Sequence, residues 1–179
     1  MQRKVIFLDR DGTLIEDKIY LNDPNDIVYL PGVFDAMVLL RDLGYDFVVV
    51  TNQSGVARGI VEIENLHEVH RRMQASFLEV NVDFLGFYYA PYLPSTDHPL
   101  RKPNPGMLMQ AAKEFGIDLK NSWMVGDRMT DVEAGHRAGT KSIFIGTTEK
   151  ISDSPFAPPE LETKDLLEAA QILSGKPLI

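Results

Sequence analysis

The sequence predicts an α/β protein with a central parallel sheet and helices on its faces. Two observations carry the prediction. Short continuous apolar runs alternate with amphipathic stretches along the chain, as buried parallel strands alternate with crossover helices. Polar clusters follow several of those runs, where an open parallel sheet binds its ligands. The 179 residues are 44% hydrophobic and 25% charged, an ordinary globular composition. One domain over residues 1–179 is expected, and a chain of this length buries roughly two thirds of its unfolded surface without staples.

Each element follows in order. Val5-Ile6-Phe7-Leu8 is a buried central strand, and residues 10–26 are polar and turn-rich. Pro31-Gly32 opens a helix carrying Val33, Met37, Leu40 and Leu43, with Gly44 where a C-terminal cap belongs. Phe47 to Val50 is a second strand and Asn52 to Gly59 a loop. Ile63, Leu66, Val69, Met73, Phe77 and Val80 mark a helix over 62–80. Phe84 to Tyr89 is a third strand, and Ala90 to Pro103 a proline-rich loop. Pro105 starts a helix that Gly116 ends; Trp123-Met124-Val125 is a fourth strand; residues 130–138 form a short helix closed by Gly139. Ser142 to Ile145 is a fifth strand, 152–159 a surface crossing, and 163–173 a last helix. The connections are short, which leaves no inserted domain to cover a site.

The composition excludes several classes. There is no cysteine, so disulfide scaffolds, iron–sulfur sites, thiol nucleophiles and cysteine-ligated zinc drop out. No apolar run approaches the ~18 residues of a membrane span, and the run after Met1-Gln2-Arg3-Lys4 ends at Asp9, too soon for a signal peptide. Acids outnumber bases by 26 to 18, a net charge of −8, which repels nucleic acid and anionic lipid. An anionic substrate would need a local answer to that field.

Four features sit at or near strand ends: Asp9-Arg10-Asp11-Gly12-Thr13, Thr51-Asn52, Arg101-Lys102-Pro103 and Gly126-Asp127. If Asp9, Asp11, Asp127 and Asp131 converge, their mutual repulsion calls for a cation. An all-oxygen donor set favours a hard ion, and Mg²⁺ binds through a few carboxylates, water and phosphate. Gly12 permits the sharp turn that aims amides at an oxyanion. Thr51 offers a hydroxyl and Lys102 a compact charge to a phosphate. The bland alternatives are a polar turn at 51–55, a solvated Arg101-Lys102 pair, and Asp127 as an N-cap of the next helix. Glu62, Glu64 and Glu68 read as a wet helix face. His67 and His70 lack a third ligand for a metal, and His98 and His136 have no assigned role.

The order Asp9-x-Asp11-Gly12-Thr13, Thr51-Asn52, Lys102-Pro103, Gly126-Asp127-x-x-x-Asp131 resembles the haloacid dehalogenase (HAD) superfamily of phosphatases, over most of the chain through Gly146. Phe7 to Thr13, Val49 to Gly59 and Arg101 to Met107 are similar to the D-glycero-D-manno-heptose 1,7-bisphosphate phosphatases and the related histidinol-phosphate phosphatases. The resemblance implies a Rossmann-like three-layer sandwich with minimal or no cap domain, and a Mg²⁺-dependent cytoplasmic phosphatase of sugar-phosphate metabolism, monomeric, acting on a small phosphorylated substrate. It implies Asp9 as nucleophile and Asp11 as acid and then base. Thr51 and Lys102 would bind the phosphoryl group. The metal would be held by Asp9, the Asp11 carbonyl and Asp127, with Asp131 beside them. Substrate contacts map to Asp17, Lys18, Ile19, Tyr20, Thr51, Asn52, Gln53, Ser54, Arg101, Lys102 and Arg128, and Arg101 with Arg128 would suit a second phosphate. Where these relatives commonly carry a zinc loop, this chain reads Ala90-Pro91-Tyr92, with no cysteine from Leu93 to Leu100, so no zinc is expected. Competing readings are a histidinol-phosphate or other small-phosphomonoester phosphatase, a receiver-like signalling module, and an inactive scaffold.

Overall fold

In the computed structural model residues 2–147 and 149–175 are described; Met1, the start of the basic flank noted above, lies outside them. Six parallel strands form one sheet in the order β3-β2-β1-β4-β5-β6. The strands are β1 (Val5–Leu8), β2 (Asp46–Asn52), β3 (Phe84–Ala90), β4 (Trp123–Gly126), β5 (Lys141–Ile145) and β6 (Leu161–Thr163). The helices are α1 (Val33–Asp42), α2 (Ser54–Ala57), α3 (Ile63–Leu78), α4 (Gly106–Phe115), α5 (Met129–Ala138) and α6 (Leu166–Ser174).

β1 shows why three layers form. Its four side chains are all buried, and alternate residues point to opposite faces. Ile6 and Leu8 pack with Val33, Met37 and Leu40 of α1, Val69, Met73 and Phe77 of α3, and Leu166 of α6. Val5 and Phe7 pack with Val48, Val50, Met107, Leu108 and Ala111 of α4, and Ala134 of α5. A strand buried on both faces must be apolar throughout, and each such side chain contributes about 1.5–3 kcal/mol of burial free energy.

The strand order reverses direction at β1, between β2 on one side and β4 on the other. That reversal opens a crevice beyond the strands' carboxyl ends. Two elements differ from the sequence reading. The 52–59 loop contains the short helix α2. A sixth strand, β6, pairs Leu161 with Ile143 and Thr163 with Ile145, after the 152–159 crossing and where the last helix is expected to start at 163; three residues with a central glutamate carry no strand signature. The last helix accordingly starts at Leu166, with the Asp165 carboxylate accepting from the Glu168 N–H.

Candidate active site

Asp9 stands one residue beyond β1, its amide donating to Val125 O of β4 at 2.9 Å. Thr51 and Asn52 end β2, and Gly126 ends β4 with Asp127 next. Lys102 comes from the loop before α4 and is tied to β2 by a reciprocal pair. Asn52 Nδ2 donates to Lys102 O, and Lys102 N donates to Asn52 Oδ1, both at 3.0 Å. The Lys102–Pro103 peptide is cis.

The carboxylates of Asp9, Asp127 and Asp131, all buried, place one oxygen each within 4.8 Å of the others. Lys102 Nζ lies among them and donates to Asp9 Oδ1 at 2.8 Å, to Val50 O at 2.7 Å and to Asp131 Oδ1 at 2.6 Å. All three ammonium hydrogens are thereby used. Burial, reinforced by Asp131 and Asp11 and opposed by Lys102, pushes Asp9 up to about 7. Burial pulls Lys102 down, but Asp131 and Asp9 outweigh it and raise it to about 12. Asp131 is also raised, by burial first. Its Oδ2 accepts the Arg128 N–H at 3.1 Å, so the cap of α5 belongs to Asp131 and not to Asp127. Two glycines make room: a Cβ on Gly12, at φ +80°, would overlap the Asp127 carboxylate, and one on Gly126 would overlap that of Asp131.

Asp11 faces a different set of partners. Arg10 Nε donates to its Oδ2 at 3.1 Å and Arg10 Nη2 to its Oδ1 at 3.0 Å. Gln53 Nε2 bridges Asp11 Oδ2 at 2.8 Å and Thr51 Oγ1 at 2.9 Å. Thr51 therefore keeps its own hydroxyl hydrogen for another acceptor.

A cavity of about 220 Å³ is lined by Asp9, Asp11, Asp17, Tyr20, Thr51, Asn52, Gln53, Ser54, Arg101, Lys102, Asp127, Arg128 and Asp131. Every candidate site residue of the sequence reading except Lys18 lines it, Ile19 included, joined by Gly55 and Thr130. Lys18 turns out to Glu16, 2.9 Å away. Arg128 faces carboxylates of Asp17 and Glu149 at 3.5 Å and of Asp127 at 3.9 Å. Arg101 and Arg58 are instead the two arginines with no ion-pair partner among the described residues. Arg101 is depressed by burial and then by the charge of Arg58. Its Nη1 donates to Tyr92 O at 3.0 Å, and Tyr92 stacks on His98 with ring centroids 3.5 Å apart.

Sequence reasoning missed Arg10, Arg58 and His70. Arg10 is 1% exposed, the largest of the fully buried side chains. The sequence carries no local signal of this: Arg10 stands at a bend between two acids, and His70 of α3 beside it reads there only as a discarded metal ligand.

The donor set fits a hard divalent ion, since the buried cluster is all carboxylate and Asp9 is pushed up by burial first and then by its acidic neighbours. The HAD-hydrolase-like family matches residues 99–169. The chain is 35% identical to the D-glycero-β-D-manno-heptose-1,7-bisphosphate 7-phosphatase of Photorhabdus laumondii, over 95% of both chains. It is 40% identical to the enzyme of the same name from Pasteurella multocida, over 97% of this chain and 98% of that one. The chain belongs to this family of HAD-like phosphatases. The solved D,D-heptose 1,7-bisphosphate phosphatase of B. bronchiseptica, complexed with magnesium and phosphate, superimposes with a TM-score of 0.87 at 28% identity, covering 95% of this chain and 97% of that one. Members of the family are phosphomonoester hydrolases, and this chain carries the fold over nearly its whole length.

Proposed function

We propose that the chain is a Mg²⁺-dependent phosphatase that removes the 7-phosphate of D-glycero-D-manno-heptose 1,7-bisphosphate, leaving the heptose 1-phosphate. One observation carries the reading: Asp9, Asp11, Thr51, Lys102 and Asp127, distant in sequence, line one cavity at the reversal point of the sheet. Asp9 attacks phosphorus, and the bond to the ester oxygen breaks as an aspartyl-phosphate forms. Asp11 gives its proton to the departing alcohol, then takes one from the water that hydrolyses the intermediate. Lys102 holds the Asp9 carboxylate in place and turns to a phosphoryl oxygen when substrate enters. Thr51 donates its hydroxyl hydrogen to the same group.

Asp9, the Asp11 carbonyl and Asp127 would hold Mg²⁺, with Asp131 outside them because both its oxygens are engaged by Lys102 and the Arg128 amide. A bound Mg²⁺ neutralises the transferring phosphoryl oxygens. Asn52, Gln53 and Ser54 edge the reacting phosphate, while Asp17 and Tyr20 face the sugar. The second phosphate belongs to Arg101, because Arg128 already faces three carboxylates. In this reading residues 1–179 work as one domain, as a monomer in the cytoplasm, with no nucleic-acid or membrane partner. Among the described residues no helix is long and apolar enough to cross a membrane.

The test is free-phosphate release from a substrate panel with Mg²⁺ and with a chelator. Turnover of the heptose bisphosphate well above histidinol phosphate and simple monophosphates, lost on chelation, is expected. Preference for histidinol phosphate would move the assignment to that substrate, and metal-independent turnover would refute the proposed chemistry.

A further inference from the structure

Arg10 is an unusual residue to find at the bottom of a site. A guanidinium withdrawn from water is costly unless its donors are matched. Its partners are specific. Two nitrogens form a planar fork on Asp11 at 3.0 and 3.1 Å, and the third, Nη1, lies 3.3 Å from His70 Nε2. Arginine only donates, so His70 Nε2 accepts and the ring proton sits on Nδ1. Burial, then Arg10 and His67, hold His70 down to about 3, a neutral acceptor. The ring is fixed in turn by stacking on Phe87 of β3, centroids 4.9 Å apart and planes 24° apart. Arg10 does not line the cavity, whereas Asp11 does. The guanidinium therefore reaches the reaction only through Asp11.

We propose that Arg10, braced by His70, is the positioning residue that fixes the plane of the Asp11 carboxylate against the leaving-group oxygen. This rests on the acid role of Asp11 given above. A fork onto both oxygens sets the plane of a carboxylate, which a point charge does not. Gln53, just beyond β2 at the start of α2, reaches the same carboxylate, so Asp11 is held from two sides while one edge stays toward the cavity. The pair Arg10 and Asp11 is thus built to aim a proton, and its removal should be felt in proportion to how much the leaving group needs one.

The experiment uses rapid-quench measurement of the first half-reaction, phosphoryl transfer to the enzyme, with two substrates. Heptose 1,7-bisphosphate releases an alkoxide that needs protonation, whereas p-nitrophenyl phosphate releases a stable phenolate that does not. Arg10→Lys keeps the charge and loses the fork. It is expected to slow transfer from the sugar phosphate about 30-fold, part of what a general acid supplies, and from the aryl phosphate less than about threefold, with KM little changed. His70→Leu, which removes the brace, should act in the same direction by about 5- to 10-fold, and His70→Gln, which restores an acceptor, should recover most of that loss. If Arg10→Lys does not fold, the two His70 variants decide alone. Equal slowing of both substrates, or a change confined to KM, would overturn the inference. Asp11→Asn separates it from the reading beneath. If Asp11→Asn shows the leaving-group dependence and the Arg10 and His70 variants do not, only the positioning role falls. If Asp11→Asn slows both substrates equally, the acid role falls and the inference with it.

Discussion

The floor of the cavity and its rim are built differently from one another. On the floor, Asp9, Thr51, Lys102, Asp127 and Asp131 are buried and stand at or next to the ends of β1, β2 and β4, or are tied to them. At the rim, Asp17, Ile19, Arg101 and Arg128 are half-buried or exposed and hang on loops. The floor is over-determined, since Lys102 alone binds groups from three segments. The rim is held by a few local contacts. Its 90–105 wall uses an aromatic stack of Tyr92 on His98 and a hydrogen bond from the Arg101 amide to His98 O at 2.8 Å. At Ile19, a β-branched side chain 80% exposed sits at φ +66° over the cavity mouth. A floor built this way suits a reaction common to many substrates, and such a rim suits the choice among them.

The comparison breaks if floor and rim variants behave alike. The largest effect belongs to Lys102→Met. It leaves Asp9 and Asp131 facing each other without their shared cation, and should lower unfolding free energy by about 3–5 kcal/mol as well as abolish turnover, read by denaturant melts and phosphate release. Arg101→Ala, at the rim, should leave stability and p-nitrophenyl phosphate hydrolysis near wild type. It should raise KM for the bisphosphate by about 1.5–3 kcal/mol, the worth of a charge-assisted hydrogen bond. Unchanged kinetics would remove Arg101 from substrate binding.

His70 sharpens the floor's side of the comparison through pH. Its folded value of about 3 lies below the ordinary 6.5, so between those values the unfolded chain binds the extra proton. Stability is therefore full above pH 6.5 and falls as pH drops toward 3, by about 2–3 kcal/mol at pH 4.5. His70→Gln has no such proton to bind, and its melting temperature should fall less between pH 6.5 and 4.5 than that of the wild type. The smallest effect is His98→Ala, which removes the stack on Tyr92 and should cost about 0.5–1.5 kcal/mol in a thermal melt.

How much of this was legible in the sequence follows the same division. The strands that carry the floor are buried on both faces, so Val5 to Leu8 and Phe47 to Val50 read as uninterrupted apolar runs. The motif acids follow them directly. β6 was not legible, because an edge strand of Leu161, Glu162 and Thr163 owes its existence to the open side of β5 rather than to its own residues. Asp17, Arg101 and Arg128 were placed by resemblance, but their partners were not. That Arg128 faces three carboxylates while Arg101 lies in the field of Arg58 depends on loops whose approach no local pattern encodes. Arg10 and His70 hid for another reason. A charged residue and a histidine read as surface until a helix is packed over them.

The central claim is that Asp9 forms a covalent bond to phosphorus. The direct measurement is an acid quench of the enzyme during turnover, followed by borohydride reduction and peptide mass spectrometry. Aspartyl-phosphate is reduced to homoserine, so the account predicts homoserine at position 9 and an unmodified Asp11. Homoserine at another aspartate, or none in an enzyme that is releasing phosphate, would contradict it.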